Sequence, residues 1–318
     1  MIIIRHQWFI KSILVVSTCF FICTQVKEQK AFLKGWYPHQ KKSLMNQLQM
    51  FDKAAQEAYP SVIKNVRMAI VPHAGWKYSG VLDAACFRCF DKKKIKKVII
   101  LAPLHHIPMR GIVLPSYDTY RLSCGTLKTD KQAIICLKNK GPFQFSAKKK
   151  WIDPHTSEHS IEVLLPFIYY YLPQAVIIPL MVGTINQDEL QQAVEALEPY
   201  VTDETALIVS SDFTHYGPLY DFTPCEQLSN KEACIIQYDD RLIRLISECN
   251  AQNFLQSIKN NEDTICGKYP ITLALALAKN TTLRKSSFIC VGRTHSQIIN
   301  KNSRNRVSYV GMVFIPDL

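Results

Sequence analysis

The feature that most narrows the possible folds is a set of short runs with no polar position in their middle: "VRMAIV" at 66–71, "KKVIIL" at 96–101, "AVIIPLMV" at 175–182 and "TALIVS" at 205–210. A strand with one wet face alternates apolar and polar residues, so a run without alternation must be covered on both faces. Between these runs lie segments of helical period: "GVLDAACFRCF", "DKQAIICLKNK", "EHSIEVLLPFIYYYL" and "ITLALALAK", with further helices expected over 42–58 and 230–248. The tail adds two strands, "SSFICVG" and "RVSYVGMVFI". Buried strands separated by helices predict an α/β fold: one domain with a central, largely parallel or mixed β-sheet flanked by helices. At 318 residues, 47% of them hydrophobic, the chain is long enough to bury such a core.

The N-terminus is set apart from this pattern. Arg5 and Lys11 precede the apolar stretch "SILVVSTCFFIC", Ser12 to Cys23, which is too short to cross a bilayer comfortably. Residues 1–27 therefore read as a secretory signal or a membrane anchor, and 28–318 as the folded domain. If the leader works, the protein is exported, periplasmic or anchored at its N-terminus; if not, it is cytoplasmic. Nine cysteines remain after the leader, an odd set, so at least one thiol is free or metal-bound. Cys86 and Cys89 have the spacing of a metal or redox pair but fall in a helical pattern with no second such pair, and read as buried thiols. The net charge of +12 is concentrated in two runs, Lys92 to Lys97 and Lys148 to Lys150. Neither has interleaved aromatics, so both read as solvated loops and nucleic acid is not an expected partner.

Open α/β sheets bind ligands beyond the carboxyl ends of their strands. In "MAIVPHAGWKYSG" the strand is followed by His73; in "VIILAPLHH", by His105 and His106; in "ALIVSSDFTHYG", by Ser211, Asp212 and His215. In "DPHTSEHSIEVLLPF", Glu158 and His159 open a helix. Each histidine alone would read as structural or solvent-facing. Several at one sheet edge point instead to a metal, because neutral imidazole is the commonest metal ligand. Cys266, in "NEDTICGKYP", supplies a third ligand ahead of a helix beginning near Pro270, whose N-terminus favours a thiolate; on its own it reads equally as a small buried residue. A Ser-His-Asp hydrolase is excluded, because "SSDFTHYG" lacks the glycine-flanked turn that presents a serine nucleophile.

Five stretches, "PHAGWKYSG", "LAPLHHIP", "EHSIEVLLPF", "SSDFTHYG" and "DTICGKYPI", resemble in order and spacing the Memo family, also called AmmeMemoRadiSam system protein B. The resemblance runs from about Gly35 onward. It implies a fold similar to the class III extradiol ring-cleaving dioxygenases, with His73, His105 and Cys266 as metal ligands. It places His106, Glu158, His159, Asp212 and His215 around the cleft. The thiolate stands where ring-cleaving enzymes use a carboxylate, so the resemblance does not extend to ring cleavage. Two positions depart from the family pattern: Leu104 replaces a serine before the histidine pair, and Phe32 stands near a family histidine.

The function expected is that of a metal-binding Memo-family protein with a mononuclear iron(II) or copper site for redox or dioxygen chemistry. His159 and His215 would be its proton donors or acceptors and Asp212 would orient His215. His106 and Glu158 would face the substrate or support the ligands. The alternatives are a zinc-dependent hydrolase on the same ligands and a non-catalytic module binding phosphopeptides or other anions. In each case the ligand is a small molecule or a peptide.

Overall fold

The computed structural model describes residues 26–31, 33–61, 63–145, 153–281, 283 and 286–316. Most of the leader expected over 1–27, the departure at Phe32 and the run Lys148 to Lys150 lie outside the described residues. In chain order the elements begin β1 (Glu28–Lys30), α1 (Lys41–Ala58), β2 (Met68–Val71), α2 (Trp76–Phe87), β3 (Lys97–Pro103), β4 (Ile112–Leu114), β5 (Thr119–Arg121) and β6 (Thr126–Lys128). Next come α3 (Lys131–Leu137), β7 (Phe143–Phe145), α4 (Pro154–Ser157), α5 (His159–Glu162), α6 (Leu165–Tyr171), β8 (Val176–Val182), α7 (Gln187–Leu197) and β9 (Thr205–Ser210). The chain ends with β10 (His215–Tyr216), α8 (Lys231–Ser247), α9 (Ala251–Asn260), α10 (Lys268–Asn280), β11 (Ser286–His295) and β12 (Arg306–Pro316). No helix among the described residues is long and apolar enough to cross a membrane.

The main sheet is mixed, as expected. Its order is β10-β12-β2-β9-β3-β8-β4-β7, with β11 paired to β12. The four apolar runs form its parallel centre, β2 beside β9, β9 beside β3 and β3 beside β8; β12 and β4 flank them antiparallel. Both faces of these strands are covered. Ile99 and Leu101 of β3, with Ile70 of β2 and Val209 of β9, pack in a core with α7, α8, α9 and α10. Val98, Ile100 and Ala102, with Val71 and Ile208, pack on the other face against α1, α2, α5 and α6. Each such buried Val, Ile or Leu contributes about 1.5–3 kcal/mol relative to exposure, which locks the register because a one-residue slip would exchange the two faces.

Three departures from the sequence reading matter. A small sheet, β1-β5-β6, forms beside the main one; its three-residue strands are too short to carry a readable period. Helices α7 and α9, not anticipated, pack on the main sheet and beside α10. Third, "EHSIEVLLPFIYYYL" is not one helix: Glu158 is extended (ψ 139°) between α4 and α5, and Pro166 opens α6 at its second position. Asp153 caps α4 through its carboxylate, with Pro154 at the first helical position. Tyr117 donates to Asp153 at 2.9 Å, and His155 bridges the Tyr120 hydroxyl at 3.0 Å and the Val113 carbonyl at 3.1 Å. Strand β4, strand β5 and the segment between them thereby fix the turn that presents Glu158 and His159.

Candidate metal centre

Because β2, β9 and β3 run parallel, their carboxyl ends share one edge, and each hands over a polar segment there. His73 follows β2, His105 and His106 follow β3, and Ser211 and Asp212 follow β9. From the helical side come His159, the first residue of α5, and Cys266, two residues before α10. Gly267 makes the second approach possible. A Cβ there would lie 2.4 Å from Ser211 Cβ and 3.0 Å from the Ser210 carbonyl oxygen, while its N–H donates to Ser211 Oγ at 3.0 Å.

The result is a cluster in which one ligand atom each from His73, His105 and Cys266 lies within 4.8 Å of the other two. His73 Nε2 and Cys266 Sγ are 3.4 Å apart. A tetrahedral ion bound at about 2.0 Å to nitrogen and 2.3 Å to sulfur would hold those atoms about 3.5 Å apart, so the pair fits an ion. The imidazoles of His73 and His105 meet edge to face, centroids 5.0 Å apart, and His159 stacks on His105 at 4.7 Å. Two imidazoles and one thiolate suit iron, copper or zinc.

Glu158 is buried directly behind this cluster. One carboxylate oxygen accepts the backbone N–H groups of His105 and His106 at 2.5 and 2.7 Å, and the other sits 3.0 Å from His105 Nδ1. An ionised carboxylate only accepts, so Nδ1 carries the proton and His105 Nε2 is left with its lone pair. His105, Glu158 and His159 also group closely enough to suggest a second ion site. The Glu158 hydrogen bonds to His105 and His106 tie that trio to the first group.

Asp212 does not orient His215, contrary to expectation. His215 Nδ1 donates to the Phe213 carbonyl at 2.8 Å, two residues back, a backbone contact that no side-chain pattern announces. The Asp212 carboxylate instead accepts the His73 backbone N–H at 3.0 Å, and its own N–H donates to Cys266 Sγ at 3.2 Å. Burial raises the Asp212 carboxyl to about 7, against the opposing His73 N–H. Burial, then the neighbouring His105, His159 and His215, holds His73 well below the usual histidine range. Burial and then His105 bring His159 down to about 4; burial lowers His215, against its backbone hydrogen bond. Burial pushes Glu158 up, but its hydrogen bonds from His105 and His106 outweigh that and leave it below the ordinary range. The Cys266 thiol is pushed strongly up by burial and by Asp212, the reverse of the lowering expected of a helix N-terminus.

The eight sequence-derived residues thus converge on one edge, though not equally. His106 is exposed at the mouth, its ring 6.4 Å from that of His105 and 6.1 Å from that of His159. Leu104 is half-buried and packs against the cluster beneath α1 and α2. Cys86 and Cys89 are buried thiols, as read, and Cys225 is joined to Cys234. Four contributors were missed: Trp36, whose ring lies 4.4 Å from that of His159; Tyr220, edge-on to His215 at 5.0 Å; and Ser160 and Ser210, which bond to each other beneath the histidines. "WYP" and "SSDF" hinted at the first and last; nothing in the sequence marks Tyr220 or Ser160.

The chain is similar to known proteins over most of its length. The family model described as Memo-like protein matches residues 31–313. A MEMO1 family protein of Schizosaccharomyces pombe is 27% identical over 270 residues, covering 76% of this chain and 84% of its own. Protein MEMO1 of Mus musculus is 28% identical over 265 residues (80% and 86%), and the memo-1 homolog of Caenorhabditis elegans 28% over 290 (88% and 81%). The solved structure of an uncharacterized protein from Escherichia coli K12 aligns with a TM-score of 0.42 at 9% identity, over 79% of this chain and 99% of that one.

Proposed function

The chain belongs to the Memo family, and on that premise we propose that it is a mononuclear metal protein in which His73, His105 and Cys266 hold one iron(II) or copper ion, with positions open to dioxygen or another small ligand. The observation that carries this is the meeting of three donor atoms, from three separate elements, within 4.8 Å. Bound there, such an ion supplies Lewis acidity or one-electron chemistry. The remaining residues divide the other tasks. His215 Nε2, with Nδ1 committed to the Phe213 carbonyl, accepts a proton from a bound ligand. Asp212, raised to about 7, holds or releases one beside Cys266. His159, packed between Trp36 and His105, walls the cleft, and exposed His106 meets the ligand at its mouth.

The neutral state of His73, His159 and His215 favours this reading over a phosphopeptide module, since the three supply no fixed positive charge to an anion. The Cys225–Cys234 disulfide and the leader-like sequence Ser12 to Cys23 together support an exported location. Elemental analysis and visible spectra of protein purified without chelators test the proposal. Iron or copper with a thiolate absorption band, lost in His105→Ala and Cys266→Ser, is expected; unchanged metal content in both variants would overturn it. Colourless, zinc-loaded protein would reassign the centre to hydrolysis, and the N-terminal residue of the mature protein decides the compartment.

A further inference from the structure

The three ligand-bearing segments come from distant parts of the chain, yet two serines stitch the two histidine segments together. Ser160 Oγ donates to the Pro103 carbonyl at 2.8 Å, just ahead of His105. The Ser160 carbonyl accepts from Ser210 Oγ at 2.6 Å, and Ser210 Oγ lies 2.7 Å from His73 Nδ1. Both serines are fully buried and His73 nearly so, so these groups have little recourse to solvent.

A hydroxyl has one proton to give. A carbonyl only accepts, so the 2.6 Å contact to Ser160 consumes the Ser210 proton. Toward His73 the hydroxyl can then only accept, and Nδ1 must be the protonated ring nitrogen. We propose that Ser210 is a positioning residue that sets the tautomer of His73, leaving the Nε2 lone pair facing Cys266 Sγ before any ion arrives. Glu158 does the same for His105. The two imidazoles are therefore ready as ligands, one through a carboxylate and the other through a serine whose own proton is held by a backbone carbonyl.

Without the Ser210 hydroxyl the balance reverses. His73 Nδ1 loses its acceptor, whereas a proton on Nε2 would face the sulfur at 3.4 Å and an Asp212 oxygen at 4.0 Å. The Nε2–H tautomer that results would block the ligand position. The inference rests on the metal-binding reading for its purpose, but its first test uses metal-free protein.

That test is long-range proton–nitrogen NMR of the full chain labelled with 15N-histidine, with His73 assigned by its loss in His73→Ala. Protonated Nδ1 and bare Nε2 are expected in the wild type, and protonated Nε2 there overturns the inference whatever the variants do. Ser210→Ala is expected to move the proton to Nε2 and weaken cobalt(II) binding about 10- to 100-fold, the usual effect of losing a group that orients a ligand. Ser210→Thr, which keeps the hydroxyl, is expected to restore both. Ser160→Ala keeps the carbonyl and is expected to leave the His73 tautomer unchanged. An unaltered tautomer in Ser210→Ala with unaltered cobalt(II) affinity would also overturn it. If wild-type protein shows the expected tautomer and binds no metal, the tautomer assignment stands and the proposed function falls.

Discussion

Replacing Gly267 with alanine tests how the proposed cysteine ligand reaches the histidines. The added methyl would sit 2.4 Å from Ser211 Cβ, 2.5 Å from its Oγ and 3.0 Å from the Ser210 carbonyl oxygen. Non-bonded carbons rest about 3.5–4.0 Å apart, so the start of α10 must withdraw from the end of β9 by roughly 1 Å. No rotamer change relieves this, because Ser211 Cβ and a backbone carbonyl are among the obstacles. Overpacking of this kind costs about 1–3 kcal/mol, and the Gly267 N–H bond to Ser211 is lost as well. The neighbouring residue is Cys266, and a displacement near 1 Å exceeds the roughly 0.5 Å within which site geometry must hold. Gly267→Ala should therefore lower the thermal midpoint by several degrees and cut cobalt(II) affinity at least tenfold, with a weakened thiolate-to-metal absorption band. Calorimetry and a cobalt(II) titration on one preparation check it. Wild-type affinity with an intact band would refute the reasoning, because the close approach would then be dispensable to the ligand set.

Glu158→Gln keeps the shape but turns its amide NH2 toward His105 Nδ1 if the amide oxygen retains the two backbone N–H groups. The His105 proton must then move to Nε2, and metal affinity should fall about 10- to 100-fold; competition with a chromophoric chelator measures it. The Glu158 carboxyl is lowered by folding, so its contribution to stability is present above its unfolded pKa and lost as pH falls through the folded one. Denaturant titrations should accordingly show a weaker acid dependence in the glutamine variant. Asp212 has the opposite sign. Its folded pKa is raised to about 7, so metal-free protein loses stability as pH rises from about 4 through 7, by at most about 4 kcal/mol. Asp212→Asn should remove that slope, and the two proteins should converge at acid pH. Reducing the Cys225–Cys234 disulfide frees a loop of sequence separation 9 and should cost about 2–3 kcal/mol by chain entropy, read as a lower urea midpoint after treatment with a dithiol.

What the sequence determined by itself follows from local rules. Unalternating runs such as "KVIIL" and "LIV" can exist only in the middle of a covered sheet, and parallel strands put their carboxyl ends together, so His73, His105, Asp212 and His215 could be assigned to one edge before any coordinates. The placing of Cys266 beside His73 and His105 was legible through motif order. The tertiary structure decided matters that hang on single hydrogen bonds between residues far apart in the chain. Phe213, rather than Asp212, holds the His215 ring, because the acceptor is a backbone carbonyl and the sequence carries no mark of which carbonyls are unpaired. The Ser160–Ser210 contact spans 50 positions. Burial at the sheet edge, with Asp212 beside it, pushes the Cys266 thiol up, the reverse of the lowering that a following helix suggests. Periodicity reports which face of an element is buried; the direction in which a proton points depends on neighbours that only the folded chain brings within 3 Å.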